Sequence, residues 1–343
     1  MWASAARCLT AALAITAMAA GVAFAGTAAA DEVTAVLEKL TRAQLYLSYQ
    51  GKKHVFNFHS STPKLTTYRI THTPSGERRE YSGARTSVIV IDDGRHQWVY
   101  RPKMGLVTRR PSPSGPLRRR LALRNLALLM KNYRMEILQG DASMGGRSIL
   151  VAKFTSRLGV GRPVRTLWID RETGLPLRTE VYDPKGLRVM TFFSSITYGP
   201  PSAPEALALK VPPTTRLETE PDEMVLSPRD LPKAVDFPVR QPKTLPPGFA
   251  LVGARLKGNG PKAELRILYS DGLSTISLFQ RRRALPVRTG SPRATTVALG
   301  DTEGKLYRFG LLGMVEWERP PVTFTMVGEV SDEELLATAR TIP

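Results

Sequence analysis

The chain reads as an α+β protein, mainly antiparallel β, in two domains. Three observations predict this. The order of patterns along the first two hundred residues is helix, strands, helix, strands, without the strand–helix alternation of a parallel sheet. A Pro-rich stretch at 199–247 ("GPPSAPEAL", "VPPTT", "LSPRDLPK", "KTLPPGF") then interrupts the periodic patterns. Short strands resume after Phe249 and end in a helix. At 343 residues the chain is also long for one compact domain.

The first thirty residues are set apart. Arg7 precedes an apolar run rich in Ala, Leu and Ile, and "AFA" (23–25) and "AAA" (28–30) place small residues where a signal peptide is cut. We expect a signal peptide at 1–30, cut before Asp31, and an exported, soluble periplasmic protein. The single cysteine, Cys8, lies ahead of the apolar run. It does not sit where a lipid anchor requires it, and the chain from Asp31 has no thiol for disulfides, thiolate metal sites or nucleophilic catalysis.

"DEVTAVLEKLTRAQLYL" places Val33, Leu37, Leu40 and Gln44 or Leu47 on one helical face. β-type runs follow at 52–60, 65–72, 86–92, 95–101 and 104–108, separated by turn chemistry such as "TPSGE" and "DDGR". A second helix is predicted over 115–133. Five more strands follow: "YRMEILQG", "RSILVAKFTS", "VRTLWID", "LRTEVYD" and "RVMTFFSSITY". One large antiparallel sheet curled around helices accounts for this order. We expect this domain to span 31–205, a Pro-rich linker 206–241, and a second domain 242–343. The second domain has strands at 250–257, 262–270, 273–280, 294–299, 304–310 and 322–328. In its closing helix, Ser331 and Glu334 form a capping box and Leu335, Leu336, Ala339 and Ile342 a buried stripe.

Charge is distributed unevenly. The net charge is +19, of which 31–205 carries +15 and 206–343 only +3. Outside the cytoplasm, nucleic acid is not the expected partner of a basic surface; anionic lipid, glycolipid or an acidic protein is. Arg118, Arg119, Arg120 and Arg124, with Arg109 and Arg110 upstream, border the apolar helix "LALRNLALLM". A basic entrance beside such a helix suits an anionic lipid head.

No enzyme chemistry is legible. His54 and His59 are five apart in a predicted strand and point to opposite faces, and His72 and His96 lie beside turns. Asp92 and Asp93 read as turn residues. Asp170, Glu172, Glu180 and Asp183 bracket a hairpin without pairing into an acid–base site. HExxH, GxSxG and glycine-rich phosphate loops are absent. No metal site, cofactor or catalytic residue is expected.

The stretch "YSDGLSTISLF" (269–279) reads as two strands joined at Asp271-Gly272, with Gly272 at positive φ. Together with "LPPGF" (245–249) and "TMVGEVSDEELLATARTI" (325–342) it resembles the C-terminal domain of the MucB/RseB periplasmic regulators. "LSYQG" (47–51), "YRITH" (68–72) and "LWIDRETGLPLRTEVYDPKG" (167–186) resemble the same family's N-terminal domain, which is similar to the lipoprotein carrier LolA. The resemblance implies an unclosed LolA-like half-barrel around helices with an apolar cavity. It also implies a partner, the periplasmic part of a membrane anti-sigma factor, and a sensed lipid or misassembled envelope component. We expect Ser270, Asp271, Gly272, Ser274 and Ser277 to face that partner. The alternative reading is a periplasmic carrier of lipid or lipoprotein.

Overall fold

The structure is a computed structural model. It describes residues 27–59, 62–83, 87–113, 117–159, 161–201, 206–282 and 294–343, with side chains described except at 27–31, 117–123 and 139–141. Helix α1 (Thr27–Tyr46) is followed by β1 (Tyr49–Asn57), β2 (Lys64–Thr73), β3 (Gly76–Ser82), β4 (Ser87–Asp92), β5 (His96–Arg101) and β6 (Leu106–Pro111). Helix α2 (Leu117–Asn132) leads into β7 (Tyr133–Met144), β8 (Arg147–Ser156), β9 (Val164–Asp170), β10 (Pro176–Asp183) and β11 (Gly186–Tyr198). With β12 (Arg216–Thr219) these strands form one twelve-stranded sheet in the order β12-β6-β5-β4-β3-β2-β1-β11-β10-β9-β8-β7. It does not close on itself. Each of its pairings is antiparallel except β12 with β6.

Both helices lie on one face of this sheet. Leu37 and Leu40 of α1 pack with Leu129 of α2, Tyr133, Phe154, Leu167 and Ile169. One turn on, Ala43 packs with Tyr49, Tyr68, Ile70, Leu177 and Phe193. The predicted three- and four-residue spacing therefore does face the core. α1 begins at Thr27, ahead of the expected cut before Asp31; the remainder of the predicted signal segment, 1–26, lies outside the described residues.

The second sheet has eight strands in the order β13-β14-β15-β16-β20-β19-β18-β17. These are β13 (Glu223–Leu226), β14 (Ala250–Lys257), β15 (Glu264–Ser270), β16 (Thr275–Arg281), β17 (Thr295–Ala298), β18 (Glu303–Phe309), β19 (Leu312–Arg319) and β20 (Val322–Gly328), closed by helix α3 (Asp332–Arg340). Register sets its buried face. Ile267 pairs with Leu278, Leu278 with Met326 and Met326 with Val315, and all four have no exposed surface. Leu335 and Ala339 of α3, with Ile342 just beyond it, pack in the same core. The predicted capping box is formed at Ser331 and Glu334.

Three differences from the sequence reading have physical causes. Strand β3 was not expected, because its inward positions Glu77, Arg79 and Tyr81 hide the apolar alternation. The loop between β15 and β16 spans four residues, 271–274, where a tighter turn at Asp271-Gly272 was expected; Asp271 Oδ1 accepts the N–H groups of Leu273 and Ser274 and widens it. The Pro-rich linker gives a strand to each sheet, and Leu226, Leu231 and Phe237 are buried in the second core.

Candidate functional site at the domain junction

The four-residue loop after β15 ends inside the first domain. Leu273, 2% exposed, belongs to the cluster of Leu37, Leu40, Leu129 and Tyr133. Gly272 has φ +109°, and a Cβ there would collide with the Leu129 backbone N and lie 2.6 Å from its Cα. Only glycine combines that left-handed backbone with so close an approach to a helix. Positive φ at Gly272 was legible in advance; the helix it presses on was not.

Polar groups surround this tip. Asn132, the last residue of α2, donates from Nδ2 to the Gly248 and Asp271 carbonyls at 2.9 Å each. Tyr133 Oη donates to Asp271 Oδ2 at 2.8 Å. Arg162 places Nε 3.4 Å from Asp271 Oδ2 and Nη1 2.7 Å from Glu334 Oε2, with its guanidinium 5.0 Å from the Phe249 ring centroid. Arg165 donates from Nη2 to Glu329 Oε2 at 2.7 Å and to the Leu273 carbonyl at 3.0 Å. Burial raises the Glu329 pKa; Arg165 pulls it down and Asp271 pushes it up further. Burial and the neighbouring Asp271 likewise raise the Tyr133 hydroxyl, so it remains a hydrogen-bond donor.

This placement corrects the expectation of an open partner surface on the hairpin. Ser270, Asp271 and Ser274 are each 1% exposed and Ser277 is 5%. Ser270 Oγ donates to the Ser274 carbonyl and accepts from Gly272 N; Ser277 Oγ accepts from Arg266. Asp271 is held at the domain junction because its carbonyl and carboxylate meet Asn132, Tyr133 and Arg162 there, and Ser270, Gly272 and Ser274 are carried in with it. Sequence reading missed Asn132, Tyr133, Arg162, Arg165 and Glu329. Their one signal was an Arg-x-x-Arg pair at the start of a predicted strand.

The basic cluster is only partly brought into view. Arg118, Arg119 and Arg120 fall in the first turn of α2, and their side chains lie outside the described residues. Arg124 donates from Nη1 to the Val252 carbonyl of the second domain at 3.2 Å. The histidines are dispersed. His54 bonds Ser194 and Thr67, and His72 stacks on Tyr49 and bonds the Leu47 carbonyl. His59 abuts Gly310, and His96 lies 3.8 Å from Asp222. Among the carboxylates, Asp92 and Asp93 accept turn N–H groups, whereas Glu172, Glu180 and Asp183 pair with Arg147, Arg178 and Arg188. Among the described residues no group of three or more His, Cys, Asp or Glu could hold a metal ion. No described helix is long and apolar enough to cross a membrane.

On the helix-covered face of the first sheet a second polar group stands out. Lys53 Nζ lies 5.0 Å from the Phe193 ring centroid, and burial lowers its pKa to about 8, with Glu77 opposing and Arg79 reinforcing the shift. Glu77 itself pairs with Arg79. Elsewhere Leu207, Leu209, Val211 and Leu217 lie over Ile91, Trp98 and Val107 around a cleft of about 370 Å³.

Comparison with known proteins places these features. The family model described as the MucB/RseB N-terminal domain matches residues 32–211. The fold is similar to a chain of the Pseudomonas aeruginosa MucA/MucB complex, with 20% identity and TM-score 0.58 over 91% of this chain and 98% of that one. It is similar to MucB in complex with MucA(peri), with 22% identity and TM-score 0.56 over 90% and 98%. It is also similar to MucB alone, with 22% identity and TM-score 0.52 over 92% and 98%. No curated protein matches the sequence significantly. With more than half of its length matched by the family model, and both domains aligned with solved MucB structures, the chain belongs to the MucB/RseB family.

Proposed function

We propose that this protein is a periplasmic envelope-stress regulator that binds the periplasmic part of a membrane anti-sigma factor. The observation that carries the reading is the family match over 32–211. The similarity to solved MucB structures across both domains, one of them described as a complex with MucA(peri), supports it. In this reading the protein acts by binding and release, and no residue is catalytic. It senses lipid or misassembled envelope components through the helix-covered face of the LolA-like first domain. There Lys53 and Arg79 stand among the rings of Phe193, Tyr68 and Tyr81, a setting suited to an anionic amphiphile. Arg118, Arg119, Arg120 and Arg124 would meet the same headgroups from α2. That face also favours the second reading, a carrier of lipid or lipoprotein.

Calorimetric titration of the purified protein with the periplasmic segment of each anti-sigma factor from its own cell tests the proposal. Saturable binding to one of them is expected. A folded protein that binds none of them, yet extracts lipid from vesicles, overturns the regulator reading in favour of the carrier.

A further inference from the structure

We propose that the two domains form a hinge and latch, closed in this structure and able to open without unfolding either domain. The composition of the junction is the first ground. Among the described residues, the second core is built from those between Leu226 and Ile342, and the first-domain clusters borrow only Leu273 and Leu311 from the second domain. Beside the close approaches of Gly272 to Leu129 and of Gly310 to His59, and the Phe249 ring beneath Arg162, the contacts named above are polar, made by Arg124, Asn132, Tyr133, Arg162 and Arg165 to carbonyls and to Asp271, Glu329 and Glu334. Parting the domains would therefore bare chiefly Leu273, Leu311 and a set of charges that water solvates, while most of each core stays covered.

Buried ion pairs give little net stabilisation, because desolvation cancels most of their attraction. Here the compensation is also incomplete: Arg165 Nε has no hydrogen-bond partner, and burial raises the Glu329 pKa. Removing one partner is another matter. It leaves an uncompensated charge that only opening can hydrate. A junction of this kind is closed by a narrow margin and opened by a small perturbation.

The linker supplies the hinge. β12 is held on the first sheet by β6, and β13 on the second by β14. Only Glu220, Pro221 and Asp222 lie between them, and three residues span at most about 10 Å. Two contacts straddle the segment, an ion pair of Glu220 with Lys257 at 2.6 Å and the approach of Asp222 to the His96 imidazole at 3.8 Å. In the first sheet, the hinge strand β12 and the latch strands β7 to β9 occupy opposite ends of the strand order. Opening is thus a rotation about a short tether, and it would bare Ser270, Asp271 and Ser274 together with the end of α2.

The test replaces the arginines of the latch in the full chain, Arg162→Gln and Arg165→Gln, singly and together. It needs no partner, so its result is independent of the anti-sigma reading. Small-angle scattering should show a larger radius of gyration. Amide exchange at 271–275 and at 329–331 should quicken at least tenfold, with β8 and β20 amides unchanged. A scattering profile and exchange pattern equal to wild type in every variant would overturn the latch. Equal acceleration of junction and core amides would overturn it too, by showing one cooperative unit. If the double variant fails to fold, the single variants and Leu273→Ser are read by the same criteria.

Discussion

Gly272 and Gly310 both sit at positive φ and both touch the other domain, yet a methyl group would meet different obstacles. At Gly272 it meets the backbone of Leu129; at Gly310 it meets the His59 ring, which can rotate away. Gly272→Ala should therefore cost about 1–3 kcal/mol, and Gly310→Ala less, read from urea denaturation midpoints. Equal losses would mean that the α2 contact yields as easily as a side chain. Asp170 gives the pH dependence. It is 1% exposed, and burial alone would raise its pKa. Hydrogen bonds from Arg147, Tyr198 and the N–H groups of Glu172 and Thr173 outweigh that and depress it. A depressed carboxylate contributes stability above its unfolded pKa near 3.9 and loses it as pH falls through the folded value. Asp170→Asn should thus destabilise by about 1–3 kcal/mol at pH 7, with the gap to wild type closing below about pH 4. A gap that persists in acid would point to lost geometry rather than lost charge.

Among elements, those with a strong periodic signal were legible. α1, the strands from 164 to 198 and the capped helix α3 all carry apolar spacing or turn chemistry that fits one structure alone. β3 was not, because the charges of Glu77 and Arg79 face inward. β12 and β13 were not, because four residues beside prolines hold too little pattern. The linker segment nonetheless matters for stability. Leu226, Leu231 and Phe237 are 8%, 1% and 4% exposed in the second core, and burying each is worth about 1.5–3 kcal/mol. A fragment 223–343 should therefore fold, while 242–343, the domain expected from sequence, should melt far lower or not fold. Thermal denaturation of the two fragments decides it. Equal melting temperatures would show that the linker packs on the core without stabilising it.

For the whole molecule, the sequence by itself determined the mainly antiparallel fold class, the division of the strands into an earlier and a later group, the concentration of positive charge before residue 206 and the family. Each of these is written in short-range pattern: alternation, helical spacing, turn residues and local motifs. The tertiary structure alone decided what the 269–279 hairpin is for. Read locally, Ser270, Asp271 and Ser274 are polar turn residues of a surface hairpin. The loop that carries them is held in place through Asp271 and the Leu273 carbonyl, by donors at Asn132, Tyr133, Arg162 and Arg165 more than a hundred residues away in the chain. A polar residue that caps its own turn and one that also closes a domain junction have the same local sequence. The difference arises only when two sheets, each folded by its own pattern, are brought together at this loop and the buried charges must find partners or remain unsolvated.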